Sequence, residues 1–283
     1  MKTLIAVCLL FLFVNCNDQN KNKSAFVSPP GYNINKPEKI KIKETLNEIS
    51  GIVYSNDGNA LLAVDDEQGK IFNIDLTNNS DYTLSKFAPN GDYEDLAYTG
   101  KEWFVLKSNG ELYLAKNIFT DSVTHEKFPF PEKGNEFEGL YYDDASNCLW
   151  LLCKSCAADN DKKEVSIYAF DVATRQFKPG AVWQIDVNKI KEQLSLKQLS
   201  FKPSAISLHT LQNQLYILSG VNKILLITDR SGNIQSSYQL DPFWFKQAEG
   251  ITFSGNGDMY ISNEATNDTY ATILKFTYQP ATK

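Results

Sequence analysis

A short pattern of one polar, one small and one aliphatic position recurs along the chain, each time followed by two strand-like runs. Its copies are Ser50-Gly51-Ile52, Glu94-Asp95-Leu96, Glu138-Gly139-Leu140, Ser204-Ala205-Ile206 and Glu249-Gly250-Ile251, so the first positions lie 44, 44, 66 and 45 residues apart. The residues that follow repeat as well: GIVYSNDGNALLAVDDE (51–67) lies over GITFSGNGDMYISNE (250–264), and GLYYDDASNCLWLLC (139–153) over AISLHTLQNQLYILS (205–219). Each copy reads as a strand, a Gly/Asn/Asp turn and a strand rich in aromatic and β-branched residues, which is the signature of a hairpin. Within the first copy, strands are predicted over 50–55, 60–65, 70–76 and 81–87. A period of 40 to 50 residues with four short strands per copy indicates a β-propeller.

The spacings also set the blade count. After Glu249 the pattern ends near Tyr278, which leaves room for three strands, and the alternating run Lys39-Ile40-Lys41-Ile42-Lys43 is available to supply the fourth. The expected fold is all-β: a five-bladed propeller of four-stranded antiparallel blades over residues 38–283, with the N-terminal strand closing the last blade and removing the exposed edges of an open sheet. The extra length in the 66-residue interval is assigned to a loop around Cys153 to Lys163 and to a short amphipathic helix near Val187 to Leu194, whose Val187, Ile190 and Leu194 share a face.

The first residues have a different character. Leu4 to Val14 is an apolar run of 11 residues, shorter than the roughly 20 that span a membrane, and it reads as part of a signal peptide over 1–15. Cys16 follows directly, then a polar, proline-bearing stretch to Pro37. A signal, one cysteine and a tether over 16–37 are how a lipoprotein begins, although Asn15 stands where the residue before a lipidated cysteine is usually small. Lipidation of Cys16 would hold the chain on a bacterial membrane, in the cell envelope. Of the remaining cysteines, Cys8 leaves with the signal, and Cys148, Cys153 and Cys156 stay in the folded part. The Cys153-Lys154-Ser155-Cys156 motif is compatible with a redox pair or half a zinc site. No second CxxC exists to complete a zinc site, so a local disulfide in an oxidising compartment is the preferred expectation, with Cys148 in a strand.

Charge excludes one class of partner. With 28 Lys+Arg against 34 Asp+Glu the net charge is -6, so capture of nucleic acid by phosphate neutralisation is not expected. In a propeller the first strand of each blade lines the channel, which makes Ser50, Glu94, Glu138, Ser204 and Glu249 a ring. Glu48, Asp92, Glu136, Lys202 and Gln247 lie two residues earlier and form a second one. Glutamates facing one narrow axis repel each other unless a cation joins them. Calcium suits carboxylates arriving from several blades, whereas zinc would want His or Cys. The loop after the second strand opens at the same end and adds Asp66 and Glu264, with Asp65, Glu67 and Asn263 nearby. The candidate metal ligands are therefore Glu94, Glu138, Glu249, Asp66 and Glu264. Hydrogen bonding of these acids to strand amides and water is the structural alternative.

Phe137-Glu138-Gly139-Leu140, Asp92-Tyr93-Glu94-Asp95-Leu96 and Gln247-Ala248-Glu249-Gly250-Ile251, the last followed by Ser262-Asn263-Glu264, resemble the SdiA-regulated family of bacterial envelope proteins over about residues 38 to 278. The resemblance implies a five-bladed propeller, distantly related to NHL-repeat propellers, with a calcium site and no assigned biochemical role. Lys202-Pro203-Ser204 departs from the glutamate pattern and puts a ligand from the fourth blade in doubt. Two functions remain open. One is a monomeric, noncatalytic binding protein whose ligand at the channel mouth is an envelope protein or a small molecule. The other is a metal-dependent hydrolase of lactonase or esterase type using the carboxylate ring. Neither His125 nor His209 falls near that ring, and no Walker, GxSxG or HExxH motif is present.

Overall fold

The computed structural model describes residues 25–55, 59–78, 82–266 and 270–280. The signal segment and Cys16 lie outside the described residues. Five antiparallel sheets stand around one axis. The first blade holds β2 (Ile49–Ser55), β3 (Ala60–Asp65), β4 (Lys70–Asp75) and β5 (Tyr82–Lys86), and the second β6 (Tyr93–Tyr98), β7 (Trp103–Lys107), β8 (Leu112–Lys116) and β9 (Thr124–Phe128). The third is built from β10 (Glu136–Asp143), β11 (Cys148–Ser155) and β12 (Glu164–Asp171). The fourth comprises β15 (Ala205–His209), β16 (Gln214–Ser219), β17 (Ile224–Thr228) and β18 (Ile234–Gln239). The fifth runs β19 (Ala248–Phe253), β20 (Met259–Asn263), β21 (Thr272–Phe276) and then β1 (Glu38–Lys41), whose residues pair with Thr272 to Lys275. The N-terminal strand thus closes the ring, and β2, β6, β10, β15 and β19 each touch the next inner strand around the axis.

The third blade departs from the simple repeat. Its outer position is shared by two short strands, β13 (Gln176–Phe177) and β14 (Trp183–Asp186), which pair with opposite ends of the long β12. Helix α1 (Val187–Gln193) follows directly, capped by the Asp186 carboxylate accepting from Asn188 N at 2.9 Å, and it buries Val187 and Ile190. The extra residues of the 66-residue interval are thereby absorbed within one blade.

Blades adhere through aromatic and aliphatic side chains. Between the second and third, Phe170 packs 6.0 Å from Phe104 and 5.0 Å from Phe128, as ring centroids, and 5.0 Å from Phe177 of its own blade. The inner hairpins turn through Asn59, Asn147 and Asn213, whose φ values of 51°, 52° and 53° are left-handed, a conformation Asn tolerates better than most residues. Residues 25–37, whose composition reads as a tether, pack against the turn end of the ring. Tyr32 and Ile34 are buried there, and the Tyr32 hydroxyl donates to Gly257 O at 2.6 Å.

Candidate functional site

The repeated polar residue sits in a β-bulge. In the second blade Tyr93 pairs with Lys107 and Asp95 with Leu106, leaving Glu94 as the extra residue. The same slip isolates Glu138 between Phe137 and Gly139, and Glu249 between Ala248 and Gly250. A bulge leaves its extra residue out of the ladder and re-aims the side chain, which is how three of the five inner strands turn a glutamate toward the axis. The small residue that follows is required by the next blade. A Cβ on Gly51 would lie 2.0 Å from Asp95 Oδ1, and one on Gly250 would lie 2.7 Å from Ser50 O.

Serines replace glutamate in the first and fourth blades because they stitch blades together. Ser50 Oγ donates to Glu94 O at 2.6 Å, and Ser204 Oγ donates to Ala248 O at 2.9 Å. Asp95, which fills the small position of its own repeat, is another stitch. Fully buried, it accepts from Leu96 N at 2.8 Å and from Leu140 N of the next blade at 2.7 Å, and burial pushes its pKa well up. Pattern alone gave no sign that this acid differs in role from the glutamate beside it.

The five predicted ligands fall into one acidic mouth, but in two unlike halves. On one side Glu94 faces Glu138 and shares a hydrogen bond with Asp92. Burial, then these acids, push its pKa up to about 10. Glu138 accepts from Lys154 Nζ at 2.6 Å, and Glu136 lies 3.2 Å from the same ammonium. Burial raises Glu138 to about 7 against that pull. Burial also opposes the Lys154 charge, yet the two glutamates hold the ammonium well above its ordinary value. Lys154 is thus a cation already built into this half. It is carried on β11 between Cys153 and Cys156, which are joined by a disulfide, while Cys148 is free and buried.

Among the described residues, the other half has no such partner. Glu264 shares a hydrogen bond with Glu48 and faces Glu249 and Asp66. Burial and these acids raise it to about 9, and Gln247 Nε2 donates to it. Asp66 is raised to about 7 by burial and by Glu48, Asp65, Glu67 and Asp92, all of one sign. Its Oδ1 is buried without a donor, as is Asn47 Oδ1 beside Glu48. Glu249 links the halves, raised by burial to about 7, with Glu138 opposing its charge and Lys154 and Lys223 favouring it.

The residues flanking this mouth divide between inward and outward roles. Asp65 is turned into its own loop, accepting from Glu67 N at 3.2 Å, and Asn263 points outward, donating to Trp244 O at 3.3 Å. Lys202 of the fourth blade pairs with Asp161 at 3.5 Å in the inserted loop rather than with the glutamates. His209 is buried at the turn end among Tyr32, Tyr216, Phe253 and Tyr278, and His125 Nδ1 lies 2.6 Å from Phe87 O. Among the described residues, the one group with three potential ligand atoms within 4.8 Å of one another is Cys153, Cys156 and Asp159, whose sulfurs are consumed by the disulfide.

The fold is shared with solved propellers of low identity. A glutaminyl cyclase of Myxococcus xanthus matches with a TM-score of 0.58 at 12% identity, covering 84% of this chain and 93% of its own. A gluconolactonase of Xanthomonas campestris matches with 0.52 at 9% identity over 90% and 86%, and a luciferin-regenerating enzyme with 0.52 at 12% over 86% and 95%. No curated protein matches by sequence. The family model described as SdiA-regulated spans residues 25–271, the blades and the acidic mouth included, and the chain belongs to the SdiA-regulated family.

Proposed function

We propose that this is a calcium-binding propeller of the bacterial cell envelope, exported and lipid-anchored through Cys16, that acts as a monomer by binding a partner protein or small ligand at its acidic mouth. The observation that carries this reading is the uncompensated half of the mouth, where Glu48, Asp66 and Glu264 oppose one another's charge. Buried oxygen acceptors there lack donors. An all-oxygen donor set of this kind fits calcium better than zinc, which prefers His or Cys. The half around Glu94 and Glu138 fits an added ion less well, because Lys154 already supplies the positive charge. Bound calcium would supply charge compensation and brace the first blade against the fifth. The apolar run ahead of Cys16 supports export, and the charge of -6 argues against nucleic acid.

The test is thermal unfolding of chelator-treated protein with and without calcium. Binding to the native state alone raises stability by about 2.7 kcal/mol at a hundredfold excess over Kd. A flat response would remove the ion from the account.

Hydrolysis is the second reading, favoured by one feature: Glu138 and Glu249 are held at about 7, the range of a useful general base. The gluconolactonase that shares the fold makes lactones the first substrates to try. Turnover by metal-loaded protein that disappears in the Glu94→Gln, Glu138→Gln, Glu249→Gln triple variant would establish it.

A further inference from the structure

Beside the acidic mouth, and sharing Glu264 with it, a cleft opens between the fourth and fifth blades. Its floor is the fifth blade, where Asn263 and Thr272 pair across β20 and β21, and its wall is the turn from Asp241 to Phe245. That turn is rigidly built. Trp244 N and Phe245 N both donate to Asp241 O at 3.0 Å, and buried Phe245 stacks on Phe276 at 5.8 Å with ring planes 1° apart. The fixed backbone holds Phe243 out into solvent at 64% exposure, beside the partly exposed Trp244, with ring centroids 4.9 Å apart. Tyr270, 40% exposed, closes the far side. Large aromatic faces held on a rigid turn around a cleft are unusual on a surface that needs only to be wet.

The polar groups narrow the ligand. Asn263 is 3% exposed and its amide nitrogen donates to Trp244 O at 3.3 Å and to Thr272 Oγ1 at 3.5 Å. Because a carbonyl only accepts, this fixes the amide orientation and leaves Oδ1 buried without a donor. The cleft floor therefore asks for a hydrogen-bond donor. Lys39 and Lys246 line the rim. The Tyr270 ring is already faced by Lys39 Nζ at 4.9 Å and Lys41 Nζ at 4.2 Å, so the aromatic surface does not invite an ammonium ligand. Glu264 also lines the floor and offers a second acceptor, so a ligand with an apolar ring face, hydroxyl donors for the floor and negative charge held at the lysine rim, away from Glu264, suits these groups.

We propose that this interblade cleft binds an acidic saccharide, its sugar ring against Phe243 and Trp244, a hydroxyl donating to Asn263 and its carboxylate between Lys39 and Lys246. The cleft adjoins the mouth through Glu264, which lines both, while its aromatic and basic residues lie outside the mouth.

The test is calorimetric titration of the protein with trimers of galacturonate, mannuronate and guluronate, and with maltotriose as the neutral control, in calcium and in chelator. At least one uronate trimer is expected to bind at least tenfold more tightly than maltotriose, and to bind in both buffers. Phe243→Ala and Trp244→Ala should each weaken it about tenfold. The Lys39→Gln, Lys246→Gln double variant, which alters only exposed side chains, should erase the preference for uronate over maltotriose. Asn263→Ala should also weaken binding, read only if its melting temperature shows it folded. Failure of all three uronates to bind, binding indifferent to Phe243→Ala, or binding that requires calcium would each overturn the proposal. Sugar binding retained in a protein without a calcium response would instead count against the ion reading alone.

Discussion

The two halves of the acidic mouth hold similar carboxylates and solve the same electrostatic problem differently. Around Glu138 the chain carries its own counter-ion, Lys154, 2.6 Å from one glutamate and 3.2 Å from another. Around Glu264 no such cation stands among the described residues, and burial with the neighbouring acids pushes its pKa up to about 9 instead. The same residue type at the same repeat position is thus half of a close ion pair at Glu138 and at Glu249 feels its lysines only as more distant charges. The difference teaches that a ring of glutamates is not by itself a metal site, and that the second strand decides which part is available.

Breaking the built-in pair should have the largest effect. Lys154→Met leaves Glu138 buried and uncompensated, and removing one partner of a buried pair costs about 3 kcal/mol. The melting temperature of chelator-treated protein should fall by several degrees, and calcium should recover more of it than in the wild type, because both halves then lack a cation. A smaller loss is expected from Asp95→Asn. The amide NH2 would face the Leu96 or Leu140 N–H in place of an acceptor, at about 2 kcal/mol, with an undiminished calcium response that separates this structural acid from those of the mouth.

Smaller still is the effect of removing charge where no cation answers it. The Asp66→Asn, Glu264→Gln variant should be more stable than the wild type in chelator at pH 8, by about 1 kcal/mol, and should lose its calcium response. The pH dependence follows from the same acids. Their folded pKa values lie above the unfolded ones of 3.8 for Asp and 4.5 for Glu, so the native state holds protons more tightly. Their contribution to stability is complete below about pH 4 and is lost as pH rises through about 7 for Asp66, Glu138 and Glu249 and about 9 for Glu264. Chelator-treated protein should therefore lose stability from pH 5 toward pH 9, and calcium should flatten the slope. Smallest of all, Lys202→Gln removes only a partly exposed pair with Asp161 and should change stability by less than about 0.5 kcal/mol.

The blades were legible in the sequence because each hairpin carries its own turn residue and alternation, so local signals repeated five times and reinforced one another. Even the closing strand could be found, since β1 alternates Lys and Ile on an edge that faces solvent on one side. The acids of the mouth were legible for the same reason: each follows the repeat. What the repeat could not convey is contact between unlike positions. Lys154 comes from a second strand and stands inside a cysteine motif that drew attention to sulfur. Asp95 occupies a position filled elsewhere by Gly or Ala and becomes a blade-to-blade acceptor only because Gly51 leaves it room. The bulges at Glu94, Glu138 and Glu249 are one-residue slips in pairing, which a list of strand residues does not contain. The cleft between Phe243 and Tyr270 joins segments from two blades and has no sequence motif at all.

The most direct measurement is the melting temperature of the wild-type protein after chelation, with and without excess calcium, beside the Asp66→Asn, Glu264→Gln variant. A rise of about 5 °C or more in the wild type and none in the variant is the predicted result. An unchanged wild type, or an equal rise in both proteins, would contradict a calcium site in the uncompensated half of the mouth.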